Sequence, residues 1–532
     1  MQSGGREGHL REYLMPVQIV TLLLLAAFVP ACSAAASKGQ FREISLAVLR
    51  DRIAGGWAGQ MIGVSYGAPT EFKARGAILE GDLTPWTPGR VSNSLGQDDL
   101  YVDMTFAQVL DDKGLDATVD DFGAMFRESK YSLWHANLAA RRALKRGVPA
   151  SLSGTPRYNA HANDIDFQIE SDFIGLMTPG LHRAATSIAL RAGRVMNYGD
   201  GLYGGVFVAG MYTAAFFESD PYKVVEAGLA SIPARSPYAM LIADLLKWFK
   251  QNPDDWRKTW QLIEEKWNKD DPCPEGVLRP FNIDAKLNGA YIALGLLYGR
   301  KDFGNTLEIS TRAGQDSDCN PSSAAGILGV MLGYGGIPEE YKSGISALAD
   351  KKFQYTGFSF NSIVESTERR ALAMIQRTGG KVEADRIFIK PQAPRPPKLE
   401  VWTYGAVAER IPSTDPNWRW KGNWRASSDN DGQTRTAAEK GAEASITFIG
   451  TGAILAGPYF TEGGKADVHL DGKLDRTVDV CSDQKSTIRG DAVWHAFGLK
   501  NGTHTIRLVV RGEPYGDYKS ADVAVTDLVV FR

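Results

Sequence analysis

A chain of 532 residues is too long for one ordinary core and implies at least two folded units. Its formal net charge of −2, from 60 Lys and Arg against 62 Asp and Glu, comes with no basic cluster, which excludes nucleic acid as a partner. Hydrophobic residues at 43% and aromatics at 10% are the content of a globular protein rather than a disordered one.

The first element in chain order is Met15 to Pro30, an apolar run with Arg6 and Arg11 ahead of it and ACSAAAS behind it. It is short for a membrane span and has a small-residue exit, so residues 1–36 are expected to be a signal peptide or lipoprotein signal. Val29-Pro30-Ala31-Cys32 resembles a lipobox, which would anchor the chain in a membrane through a lipid on Cys32. The expectation is export, as a periplasmic, outer-membrane lipoprotein or extracellular protein. Without Cys32, the cysteines Cys273, Cys319 and Cys481 are an odd set with no metal-ligand spacing, which argues against a disulfide framework.

From about Leu46 to Gly379 the pattern is helical, with Gly- and Pro-marked loops. Ala54 to Ser65 (AGGWAGQMIGVS) is rich in Gly and Ala, which lets a neighbouring helix approach closely. Asn137 to Lys145, Gly204 to Glu218, Tyr238 to Lys250 and Ala285 to Tyr298 carry apolar residues at three- and four-residue spacing, the stripe of a helix packed on a core. Strands do not alternate with helices here, and neither GxGxxG nor GxxxxGK[ST] occurs, so a Rossmann or barrel fold is not expected. Residues 45–380 read as one all-α domain.

After Gly379-Gly380 the texture changes. Lys390 to Lys398 (KPQAPRPPK) is proline-rich, and residues 381–399 are expected to be a linker. Ala444 to Phe448, Ala466 to Leu470, Thr505 to Val510 and Val523 to Phe531 then alternate with the period of strands. Asp471-Gly472 and Asn501-Gly502 are hairpin signals. The expected fold class is therefore multidomain: a helical domain followed by a β-sandwich of jelly-roll type over residues 400–532. Trp418, Trp420, Trp424, Tyr459 and Trp494 offer flat faces that either stack on sugar rings or pack in a core.

Two acidic pairs carry the chemistry. Asp98-Asp99 opens a segment that turns helical, and Asp316 and Asp318 precede a small-residue run. Carboxylates at i and i+2 cannot share a helix face, which places the second pair in a loop or a first turn. Each pair alone fits a helix cap as well as a cation site. Brought together, four carboxylates would repel and rise in pKa unless cations were present, and hard oxygen ligands select Mg²⁺, Mn²⁺ or Ca²⁺ over zinc. Glu71 follows the Pro69-Thr70 turn. Asp166 and Glu170 stand four apart with Asp172 just beyond, among Ile165, Phe167, Ile169, Phe173 and Ile174, which favours partly buried carboxylates over a solvated face. His135, Asn137 and His161 lie near aromatic or acidic residues and, with Asp172, are candidates to bind sugar hydroxyls.

Taken in order, GGWAGQMIGVSYGAPTEF, GQDD and GQDSDCNPSSAAGILG resemble the ADP-ribosylglycohydrolase family over roughly residues 45 to 380. The resemblance implies an all-α domain holding two Mg²⁺ ions, with Mn²⁺ as a substitute, at the mouth of a cleft that hydrolyses a glycosidic bond at a ribosyl-like sugar. By position it implies Gln97, Asp98, Asp99, Asp316 and Asp318 as metal ligands and Glu71 as the carboxylate near the scissile bond. Asp166 or Glu170 is the candidate proton donor. Gln97 and Cys319 stand where the family has threonine; an amide oxygen can still bind a hard cation, whereas a thiol is a poor magnesium ligand. The expected partner is a small-molecule or glycan substrate. Two other readings stay open: an exported glycoside hydrolase acting on a furanoside or another carbohydrate, and a catalytically inactive sugar-binding surface protein.

Overall fold

The computed structural model describes residues 41–269, 271–429 and 432–532, so the expected export signal and Cys32 lie outside the described residues. Among the described residues, no helix is long and apolar enough to cross a membrane.

Ser45 caps the first long helix, Leu46–Gly67, its hydroxyl accepting from the Val48 N–H at 3.2 Å. Gly55, Gly59, Gly63 and Gly67 fall four apart and make a ridge without side chains. A Cβ on Gly59 would meet Ala325 O at 2.1 Å, one on Gly63 would meet Pro321 O at 2.2 Å, and one on Gly67 would meet Ser317 O at 2.0 Å. The helix Cys319–Leu332 therefore lies backbone against backbone on the first, a separation that only glycine permits. Gly67 leads directly into Ala68–Thr70 and Glu71, while Ser317 lies between Asp316 and Asp318, so this contact sets the spacing of the candidate site.

Asp200–Ala215 and Ala285–Gly299 are buried along their whole length, as helices apolar on every face must be, and form the middle of the helical core. Residues 381–389, expected to belong to a linker, instead form two strands. Arg386–Ile389 pairs antiparallel with both Lys381–Glu383 and Arg42–Ser45. The reason is local: Ile387 and Ile389 are both at 0% exposure, and a run that apolar gains more by covering the helical core than by lying in solvent. The proline-rich stretch beyond is extended but tied down, with the Tyr203 hydroxyl donating to Lys398 O at 3.0 Å and Arg194 paired with Glu400.

The C-terminal part is a β-sandwich of antiparallel sheets. In spatial order the larger sheet runs Lys473–Asp479, Gly464–Leu470, Ile488–Pro514, Glu443–Tyr459, Asp527–Phe531 and Val407–Pro412, with Arg419–Lys421 also paired to Glu443–Tyr459. The smaller runs Val523–Val525, Gly432–Ala437 and Arg425–Asp429. Asp471 (φ 51°) and Gly472 (φ 78°) form the expected hairpin turn. Asn501-Gly502 does not: Phe497 pairs with Gly452 and Gly502 with Gly450, so the chain bulges out and rejoins the same neighbour. Both flanks of that turn match the long strand Glu443–Tyr459, which holds them in line and leaves nothing to fold back. Of the proposed sugar platforms, Trp418, Tyr459 and Trp494 belong to the sandwich core, at 6%, 6% and 1% exposure. Trp420 and Trp424 are partly buried and pack edge to face at 4.9 Å.

The sandwich docks on the helix His135–Lys145. Arg146, just past its end, donates to both oxygens of Asp479 at 2.8 and 2.6 Å and pairs with Asp483. The Arg142 guanidinium lies over the Tyr459 ring, 3.4 Å from its centroid, and donates to Cys481 O at 2.8 Å. Burial by itself would raise the Asp479 carboxyl, but the Arg142 and Arg146 charges and hydrogen bonds bring it down to about 2. A folded-state value below the unfolded value of about 3.9 gives stability that is complete above that pH and lost as pH falls through the folded value. The interface is therefore expected to loosen between about pH 4 and pH 2, read as accelerated proteolysis of residues 393–406. Arg146→Ala should bring the same cleavage to neutral pH, because it strips the buried Asp479 carboxylate of one of its two guanidinium partners, leaving only Arg142 at 3.2 Å, at a cost of up to roughly 3 kcal/mol. A cleavage rate equal to wild type would contradict this account of the interface.

Candidate active site

Three chain segments meet on the floor of a cleft of about 570 Å³. Gln97 caps the helix Asp98–Lys113, which puts Asp98 and Asp99 in its first turn. Asp318 caps the helix Cys319–Leu332, and Asp316 stands in the turn before it. Two helix N-termini thus present their N–H dipoles where the carboxylates lie. Glu71 follows the turn Ala68–Thr70, which is tied to the second segment by Thr70 Oγ1 and Ser317 Oγ at 2.9 Å and by the Phe72 N–H donating to Gln315 O at 3.0 Å. Phe72 (φ 51°), His135 (φ 42°) and Gln315 (φ 53°) all have left-handed backbone around this one cleft. Such residues cost about 1–3 kcal/mol each and persist where their surroundings over-determine them.

The electrostatics are those of a crowded carboxylate pit, partly open to solvent at Glu71 and Asp98. Burial, then the Asp318 charge, pushes Asp98 up to about 6 and Glu71 up to about 8. Burial also raises Asp99 and Asp316 well above the usual carboxylate range, with Asp98 the next cause for Asp99 and Asp318 for Asp316. Donor atoms of Asp316, Asp318 and Cys319 lie within 4.8 Å of one another. Asp99 Oδ1 and Asp318 Oδ1 are buried without a hydrogen-bond donor. Oxygens that repel one another and lack donors fit a hard cation, so the residues present suit the metal that the sequence implies. The two substituted positions are also accounted for. Gln97 donates its amide N–H to Asn93 Oδ1 at 2.8 Å, which leaves its carbonyl oxygen as the atom for a cation. Cys319 donates its thiol to Asp99 Oδ2 at 3.2 Å, so it orients a carboxylate in the pit.

Asp166, Asn137 and His135 line the same cleft. Asp166 accepts the backbone N–H groups of Asn137 at 2.9 Å and Ala136 at 3.3 Å, and burial pushes it up to about 6. Glu170 is fully buried behind it, outside the lining, and accepts from the Asn137 side-chain amide. His135 pairs with Glu275 at 3.5 Å. Trp134, 47% exposed, lies at the rim, and the Leu133 backbone before it is gripped by Gln484 of the sandwich at both N–H (2.6 Å) and C=O (2.8 Å).

Besides Glu170, two more of the catalytic and substrate-binding candidates from the sequence lie off the lining. Asp172 accepts from the Tyr212 hydroxyl at 2.9 Å and from the Gln60 amide inside the core, because its short helix Asp172–Leu176 is buried throughout. His161 is also outside the lining, its ring held between Asp164 and Asp491 at 2.8 Å on each nitrogen. Conversely, Glu275, Phe281 and Ile283, and Thr487, Ile488 and Arg489 from the sandwich, line the cleft. No motif or spacing in the sequence marks them: the first three stand in a loop of the helical domain, and the last three reach the site only through docking of the two parts.

A model of the ADP-ribosylglycohydrolase family matches residues 45–375. Among curated proteins, an A type blood alpha-D-galactosamine galactosaminidase of Flavonifractor plautii is 32% identical over 113 residues, 21% of this chain and 10% of that protein. An A type blood N-acetyl-alpha-D-galactosamine deacetylase of the same organism is 29% identical over 120 residues, 21% of this chain and 15% of that protein. The chain thus spans a small part of the length of either relative. A solved ADP-ribosylglycohydrolase-related protein complex aligns with 61% of this chain and 99% of its own at 19% identity and a TM-score of 0.37. With the family model spanning well over half of its length, this chain belongs to the ADP-ribosylglycohydrolase family and is a hydrolase.

Proposed function

We propose that the protein is an exported, metal-dependent glycohydrolase that cleaves a glycosidic bond at a ribosyl-like or other furanose carbon. The observation that carries this reading is the meeting of Glu71, Asp98, Asp99, Asp316 and Asp318 beside two helix N-termini, in the cleft that Asp166 also lines. Asp98, Asp99, Asp316, Asp318 and Gln97 would hold two magnesium ions, which when bound supply positive charge against the carboxylate repulsion and orient sugar hydroxyls.

The chain's own residues divide the proton work. Asp166, pushed up to about 6 by burial, keeps its proton in weakly acidic solution and is suited to donate it to the leaving oxygen. Glu71, in the same cleft, takes the proton of the attacking water. Its ionised form is favoured once cationic charge lies in the pit. His135, held by Glu275, hydrogen-bonds to a sugar hydroxyl, and the exposed face of Trp134 stacks on the ring.

For the substrate, a carbohydrate is favoured over a protein-linked ADP-ribosyl group by the wall that the sandwich adds through Thr487, Ile488 and Arg489. The names of the two Flavonifractor proteins, both concerned with amino sugars, agree with it over the short stretch that matches. A hydrolysis screen tests this: ADP-ribosylated arginine and serine, ADP-ribose derivatives, and aryl furanosides and pyranosides, with Mg²⁺ or Mn²⁺ and with Asp166→Asn as control. Turnover of a furanoside that falls by about a hundredfold in Asp166→Asn is the expected result, and turnover of pyranosides alone would overturn the furanose assignment. Sugar binding without turnover of any member would make the protein an inactive sugar-binding one instead.

A further inference from the structure

His161, Asp164 and Cys273 form a second buried cluster that the proposed hydrolysis does not use. His161 is 3% exposed, and Asp164 and Cys273 are both at 0%. The His161 Nδ1 atom is 2.8 Å from Asp164 Oδ2 and 3.5 Å from Cys273 Sγ, and the donor atoms of all three lie within 4.8 Å of one another. Asp164 Oδ1, also buried, has no hydrogen-bond partner. The other ring nitrogen of His161, Nε2, faces Asp491 Oδ1 of the sandwich at 2.8 Å. Asp271 accepts the Cys273 N–H at 3.0 Å and the Ile283 N–H at 3.2 Å, which fixes the loop that presents the thiol.

We propose that His161, Asp164 and Cys273 form a binding site for one thiophilic divalent cation of the zinc class, separate from the carboxylate pit, with Asp491 as the outer carboxylate that orients His161. The ligand chemistry selects the ion, because a thiolate and an imidazole prefer zinc-like cations where an all-oxygen set prefers magnesium. Geometry agrees. Bond lengths of about 2.3 Å to sulfur and about 2.0 Å to nitrogen at a tetrahedral centre put the two donors about 3.5 Å apart, which is the separation found here. The carboxylate must open by about 0.5 Å from the ring nitrogen to admit the ion, and its buried Oδ1, which has no hydrogen-bond partner, leaves it free to turn.

A proton on Nε2 shared with Asp491 leaves Nδ1 with its lone pair toward the thiol, the arrangement in which a second carboxylate fixes a metal-binding histidine. Charge also balances, since one thiolate and one carboxylate neutralise a divalent ion. Ala160 and Val277 of the helical part pack there with Ile454, Ala492, Val529 and Phe531 of the sandwich, so the site lies at the joint between the two. Asp491 is two residues from Arg489, which lines the cleft, and the ion would hold that strand against the helical part.

The site is independent of the hydrolase reading, and its test needs no substrate. The full chain, reduced and freed of metal with a chelator, is titrated with Zn²⁺ or Co²⁺, and bound metal is counted after desalting. The expected result is one equivalent of zinc that survives Asp316→Ala and Cys319→Ser but is lost in Cys273→Ser. The cobalt form should show a thiolate-to-cobalt charge-transfer band that Cys273→Ser abolishes and Cys319→Ser leaves. Asp491→Asn should weaken zinc by about tenfold or more, and zinc should raise the thermal midpoint of wild type but not of Cys273→Ser. Equal zinc in wild type and Cys273→Ser, or cobalt bound without a thiolate band, would overturn the proposal and leave His161 as an imidazolium between two aspartates. If Cys273→Ser does not fold, the wild-type cobalt spectrum and His161→Asn decide the matter in the same way.

Discussion

Asp316→Ala is expected to lose bound Mg²⁺ or Mn²⁺ and to lower kcat/KM by about three powers of ten, since a catalytic metal supplies several kcal/mol, roughly 4, of charge stabilisation and each 1.4 is about a factor of ten. The variant has a second consequence that separates a cation site from a plain helix cap. Asp316 is buried beside Asp318, and both burial and that charge raise its carboxyl. In a chelator, removing it relieves repulsion, so the metal-free variant should unfold at a temperature equal to or above that of metal-free wild type. With Mg²⁺ present the order should reverse, because only wild type gains stability from the bound ion. Calorimetry in both conditions gives the answer. A variant that is less stable than wild type in chelator would return Asp316 to a structural role in the turn before the helix.

Gly63→Ala carries the second large effect, on stability and activity together. The added Cβ would sit 2.2 Å from Pro321 O, a backbone atom that cannot rotate away, so the helices Leu46–Gly67 and Cys319–Leu332 must separate. Overpacking of this kind costs about 1–3 kcal/mol or more, against about 1 kcal/mol regained from the better helix propensity of alanine. The outcome expected is a lower thermal midpoint and a loss of activity larger than stability alone explains, because Glu71 moves relative to Asp316 and Asp318. Gly89→Ala is the control: nothing lies within 4 Å of its Cβ position, and it should change stability by less than about 0.5 kcal/mol. Equal behaviour of the two variants would mean that the glycine ridge does not set the site.

Local rules went far in this chain because several of them act on neighbouring residues. The i, i+2 spacing of Asp316 and Asp318 rules out a shared helix face, and the structure has one as the cap and the other in the turn before it. The Gly- and Ala-rich run became the close-packed first helix, and Asp471-Gly472 became its hairpin. Failures came where a local signal met a stronger tertiary partner. Asn501-Gly502 has hairpin chemistry, but the long strand beside it binds both flanks. Residues 387–389 looked like part of a connection, yet two isoleucines found the helical core. Trp418, Tyr459 and Trp494 have the faces of sugar platforms and are spent on packing.

By itself, then, the sequence determined the helical and strand-forming parts and the motifs of the family to which residues 45–375 belong, because each depends on residues close together in the chain; that the acidic pairs meet was implied only by the resemblance of those motifs taken in order. Only the tertiary structure decided which polar residues face the cleft. It placed Asp166 and Asn137 on the lining, turned Asp172 into the core, and set His161 against Asp491 across 330 residues of chain. It also brought Thr487, Ile488 and Arg489 to the cleft from a separate sheet. The placing of Asp166, Asn137 and Asp172 follows from packing within the helical domain, whereas that of His161 and of residues 487–489 follows from how the sandwich docks on Arg142 and Arg146, a contact between distant surfaces that no spacing along the chain encodes.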